Sequence, residues 1–169
     1  SPATAGGFTA AGYFMARELH RELGVPIGLL NSSWGGTRIE PWTPACGFAD
    51  LPELEGIKAR VDTAAPSSPL HKQVLSDYMT ALQAWIDDAK SKTSAGQPIA
   101  AAPEFPPNLI FPMTQGRHQE PTVLYNGMVA GLVPFAIRGA IWYQGCSNNG
   151  EGMLYLEKTK ALVNGWRKV

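Results

Sequence analysis

Two apolar runs, Val25 to Leu30 and Ile137 to Tyr143, constrain the fold of this chain more than any other feature. Both are rich in aliphatic, β-branched or aromatic residues, and Arg138 is the only charge in either. That is the pattern of strands buried on both faces of a sheet. Each run ends in small and amide-bearing residues: Asn31-Ser32-Ser33-Trp34-Gly35-Gly36-Thr37 after the first, Gln144-Gly145-Cys146-Ser147-Asn148 after the second. In an open parallel sheet, chemistry lies just past the carboxyl ends of the strands. The two segments are therefore read as two walls of one site.

The surrounding periodicity fits that reading. Phe8, Ala11, Phe14, Met15, Leu19 and Leu23 recur at helical spacing, and Gly24 followed by Pro26 supplies a helix stop. Helix, glycine turn and strand make one αβ unit of a doubly wound sheet. An apolar helix over Val123 to Phe135 precedes the second strand, and a helix from about Met153 to Trp166 follows the polar loop Gln144 to Gly152. Between these halves, about residues 46–121 read as an insertion. It carries a helical stretch from Pro69 to about Lys90, flanked by Pro-, Ala- and Ser-rich loops at 64–69 and 94–107.

The chain has 169 residues, room for one sizeable core and one domain. Fourteen basic residues balance 14 acidic ones, so nothing in the charge favours nucleic acid or an anionic membrane. No apolar run approaches the ~20 residues of a membrane helix. The chain starts at Ser1 without an initiator methionine, and is read as a processed or excised piece. Two cysteines, Cys46 and Cys146, form no disulfide framework, and no metal-ligand spacing links them to the three histidines.

The candidate chemistry sits after the runs. Gly35 and Gly36 let the backbone approach a ligand closely, and their N–H groups suit a developing oxyanion; a plain strand-to-helix turn is the competing reading. Thr37 is placed to cap a following turn. Gln144 and Asn148 offer amides that donate without titrating. Cys146 is the one nucleophile at a strand end, with His118 as its conceivable base, but a small buried residue is the simpler assignment. His20 and His71 read as ordinary satisfied histidines. Trp34 and Trp42 suit either sugar stacking or core packing. Arg38 suits either a substrate carboxylate or an ion pair with Glu40.

Asn31 to Trp42 (NSSWGGTRIEPW), Leu124-Tyr125-Asn126-Gly127-Met128 and Ile137 to Gly145 (IRGAIWYQG) resemble signatures of the sialate O-acetylesterase family, carbohydrate esterases of the SGNH-hydrolase superfamily. Ser1-Pro2, Gly12-Tyr13-Phe14 and Gly165-Trp166-Arg167 support the match. The resemblance implies a three-layer α/β/α fold with a parallel sheet, flavodoxin-like, of which this chain holds only part, as the central portion of one esterase domain. It implies Ser-His-Asp chemistry on an acetylated sugar without metal or organic cofactor, in a secreted, periplasmic or lysosomal setting. Gly35 and Gly36 then look like one oxyanion block, and the Gln144 to Asn148 loop like the other. The family's Gly-Gln-Ser-Asn nucleophile motif and its Asp-x-x-His motif are absent, and Cys146 stands where many members have Glu. The nucleophile, the base and the remaining segments of the domain are thus expected outside this chain. A non-catalytic sugar-binding module that keeps the pocket is the alternative.

Overall fold

The computed structural model describes residues 4–109 and 117–169; the Ser1-Pro2 match lies outside them. The described residues contain four α-helices: α1 (Ala10–Leu23), α2 (Glu55–Ala64), α3 (Pro69–Ser94) and α4 (Met153–Lys168). Their limits follow local chemistry. Thr9 caps α1, its hydroxyl accepting from the Gly12 N–H, and Gly24 ends it in the left-handed conformation at φ 64°. Ser68 accepts from the Leu70 N–H at the start of α3, and Pro69 occupies the first helical position, where no N–H is needed.

The expected three-layer α/β/α arrangement is not what forms. Among the described residues there is no β-strand and no sheet. The runs 25–30 and 137–143 show no ladder hydrogen bonds, and Val25 O instead accepts from the His20 ring. Nor are they buried: Ile137 is 58% exposed and Tyr143 95%. Apolar, β-branched composition records suitability for a pleated, half-buried surface, and it becomes a strand only beside a partner. These residues supply no such partner. The segment read as one helix over 123–135 instead forms a π-turn, Tyr125–Val129, and a 3₁₀ turn, Ala130–Leu132. Gly127 and Gly131 weaken a regular helix there.

The core is organised around α4. One face of this helix packs on the 3₁₀ turns Glu40–Trp42, Ala45–Phe48 and Pro52–Leu54. The first apolar cluster joins Ile39, Trp42, Leu124, Tyr125, Val129 and Leu162. The second joins Phe48, Leu54, Val61 and Ala161, so residues just after Cys46 contribute to the core. Trp142 bridges Trp42 and Trp166 through edge-to-face contacts at 6.3 Å each. No helix among the described residues is long and apolar enough to cross a membrane.

Close approach of α4 to the Pro44–Gly47 turn depends on two glycines. A Cβ on Gly47 would fall on the Ala161 carbonyl, and one on Gly165 would sit 2.7 Å from Pro44 Cγ. We expect Gly165→Ala to cost about 1–3 kcal/mol by overpacking, read as a lower urea midpoint at unchanged slope. An unchanged midpoint would show that the helix can move off the turn freely.

Candidate functional site

Three segments meet at one polar centre: residues 34–40, the 144–151 loop and α4. Thr37 is the first pivot. Its hydroxyl donates to Trp34 O at 2.8 Å and accepts from the Trp42 indole N–H at 2.9 Å. It therefore closes the turn behind it, and the following 3₁₀ turn has no side-chain cap. Gly36 sits at φ 74°, in the left-handed region where glycine is favoured. A Cβ on Gly35 or Gly36 would meet nothing within 4 Å, so the side of each residue where a side chain would stand is open. No acceptor among the described residues takes either N–H.

Gln119 holds this turn from the far side. Its Oε1 accepts from the Arg38 N–H at 2.9 Å, and its Nε2 donates to Gly36 O at 2.8 Å. The Thr122 N–H adds a bond to Glu40 O at 3.0 Å. A segment more than 80 residues away thus fixes the glycine turn through its backbone.

The two candidate amides are brought to the same place and are saturated there. Asn148, 3% exposed, accepts at Oδ1 from the Ile39 N–H (2.9 Å) and from Gln144 Nε2 (2.8 Å). Its Nδ2 donates to Glu40 Oε2 and Glu151 Oε2, each at 3.1 Å. Gln144 Nε2 also donates to Thr37 O at 2.9 Å, while its Oε1 accepts from Tyr155 at 3.0 Å. Both side chains spend their N–H donors inside the protein, tying the second loop to the first.

Beneath them lies a charged quartet. Lys158 of α4, 3% exposed, donates to Glu40 at 2.6 Å and to Glu151 at 2.7 Å. Arg38 pairs with Glu40 at 3.2 Å and also with Glu151. Two cations balance two carboxylates. Burial by itself would raise the Glu40 carboxyl. The Lys158 ammonium, Glu40's own N–H, Asn148 and Arg38 together outweigh it and hold the pKa at about 2.

Of the other candidates, Trp34 is 47% exposed and stacks on His118, centroids 5.3 Å apart and rings 17° from parallel. Trp42 is enclosed in the core, and Arg38 is engaged with Glu40 and Glu151. His20 and His71 each hold a nearby carbonyl, of Val25 and Thr63, at 2.7 Å. Cys46 and Cys146 are free thiols, and no cysteine or serine among the described residues is hydrogen-bonded to a histidine. No group of three or more His, Cys, Asp or Glu there is placed to hold a metal ion.

Sequence reasoning passed over Lys158, Glu151, Tyr155 and Gln119. One signal was present. Tyr155, Lys158, Leu162 and Trp166 fall at three- and four-residue steps along α4, so a lysine lies on the apolar stripe. A charge at such a position requires a buried partner.

The chain is similar to curated sialate O-acetylesterases along almost all of its length. It is 29% identical to the Rattus norvegicus protein, with 96% of this chain and 26% of that protein aligned. It is 27% identical to the Mus musculus protein over the same shares, and 27% identical to the Homo sapiens protein over 95% of this chain and 21% of that one. The chain spans about a quarter of the length of the curated relatives it matches. No family profile and no solved structure matches it.

Proposed function

From this similarity to the sialate O-acetylesterases, we propose that the chain is part of a carboxylic ester hydrolase that removes O-acetyl groups from sialic acids or related sugars. The open Gly35–Gly36 turn carries the reading to particular atoms. When a nucleophile attacks an acetyl carbonyl, negative charge develops on its oxygen, and donors already aimed at that oxygen lower the barrier. We assign that role to the Gly35 and Gly36 N–H groups, which meet no protein acceptor among the described residues. Asn148 and Gln144, with their donors committed to Glu40, Glu151 and Thr37, hold the turn in place as positioning residues. The serine nucleophile and its histidine base come from polypeptide outside these 169 residues.

The test is release of p-nitrophenol from p-nitrophenyl acetate, and of acetate from O-acetylated sialic acid, by the longer polypeptide that carries this segment. Turnover is expected there and not from the 169 residues alone. Asn148→Ala should lower kcat by about 100-fold through misplacement of the turn, with KM little changed, and Cys146→Ser should retain most activity. Absence of acetyl-ester hydrolysis by the longer polypeptide would defeat the proposal. Loss of all activity in a folded Cys146→Ser variant would transfer the chemistry to the thiol.

A further inference from the structure

We propose that the Trp34–His118 stack is a sugar-binding platform, in which the solvent-facing indole takes the C–H face of a pyranose ring and His118 fixes the indole's orientation. The inference rests on the esterase reading for its ligand class and on geometry for its location. Trp34 differs from the other tryptophans in its partner. Trp142 packs edge to face on both Trp42 and Trp166, and Trp85 donates its indole N–H to Ala100 O at 2.8 Å. Among the described residues the aromatic partner of Trp34 is a half-buried imidazole, and 47% of the tryptophan lies in solvent.

The platform is built rather than incidental. Trp34 is held from its own backbone, where its carbonyl accepts from Thr37 Oγ1 at 2.8 Å. His118 is held by its neighbour Gln119, whose amide clamps Gly36 O and the Arg38 N–H on the same turn. The stacked rings thus come from two distant segments locked together through one glutamine. An indole fixed in this way loses little side-chain freedom when a ligand lands on it, which favours binding. The negative face of the ring attracts the weakly positive C–H hydrogens of a sugar, as it attracts a cation. Trp34 also directly precedes Gly35 and Gly36, so a ring seated on it lies beside the open turn.

The experiment uses the 169-residue chain and needs no turnover. The indole N–H resonances are followed by NMR while the methyl glycoside of N-acetylneuraminic acid is added. A saturable shift of one indole resonance is expected, absent in Trp34→Ala. In His118→Ala the affinity should fall about tenfold, and His118→Phe, which keeps a flat ring under the indole, should restore it. Both residues lie at the surface, and unchanged far-UV circular dichroism confirms that each variant folds. No saturable shift in the parent chain, or a shift that persists in Trp34→Ala, overturns the platform. Equal affinity in His118→Ala overturns the assignment of His118. Acetyl-ester hydrolysis by the longer polypeptide without sugar binding here would sink the platform and spare the esterase reading, while sugar binding without hydrolysis would do the reverse.

Discussion

Replacing Lys158 with methionine should remove about 3–5 kcal/mol of stability, read as a large fall in the urea midpoint. The side chain is almost wholly enclosed, and its ammonium is shared by Glu40 and Glu151 at 2.6 and 2.7 Å. Methionine fills similar volume but leaves both carboxylates with Arg38 as their one remaining cation among the described residues. A buried carboxylate stripped of its partner costs far more than the pair is worth when intact. Replacing Glu40, Glu151 and Lys158 together by apolar residues should therefore cost less than Lys158→Met alone. A single-variant loss below about 1 kcal/mol, the range of exposed ion pairs, would mean that water reaches the quartet.

The same centre sets an acid limit. Glu40 has a folded-state pKa of about 2 against an ordinary value of 4.5. Because the folded value is the lower one, the stabilisation is fully present above about pH 5 and is lost as pH falls toward 2. The melting temperature should decline across that window, and Glu40→Gln should flatten the decline. An identical acid limb in the variant would place the sensitive carboxyl elsewhere.

Phe48→Ala is expected to cost about 3–5 kcal/mol, toward the top of that range. Phe48 is fully buried on the 3₁₀ turn Ala45–Phe48, against Leu54, Val61 and Ala161. The size of such a loss depends on how far the surroundings can collapse into the vacated space. Here α4 already touches the turn at backbone distance through Gly47 and Gly165, so it has no room to move inward. Phe14→Ala on α1 is the control. Phe14 is half exposed, with the Arg17 guanidinium 4.8 Å above its ring and the Tyr13 ring edge-on at 5.4 Å, and its loss should cost less than about 1 kcal/mol. Similar costs for the two variants would contradict the tight seating of α4 on the turn.

What was legible in the chain divides by distance along it. α1 was visible in its period and in the Gly24 stop, and α3 in its apolar stripe after Pro69, because helix bonds and caps are local. The runs 25–30 and 137–143 have strand-like composition, yet no ladder forms. A strand needs hydrogen-bond partners from elsewhere, and composition does not supply them. The same division holds for the site. Asn31 to Thr37 and Gln144 to Asn148 were recognisable as companions, and Gln144 does reach Thr37 and Asn148 does reach Ile39. Gln119, Glu151 and Lys158 were not recognisable, because their meaning lies in partners brought close only by folding.

The sequence by itself determined α1, α3 and α4, the Gly24 stop of α1 and the resemblance to the sialate O-acetylesterases, since each is written in contiguous residues. Only the tertiary structure decided that Gln144 and Asn148 direct their amides inward, that Lys158 and Arg38 balance two carboxylates beneath them, and that Trp34 stacks on His118. Hydrogen bonds and ion pairs depend on distances of a few ångströms, and those between segments are set by the packing of α4 on the 40–54 turns.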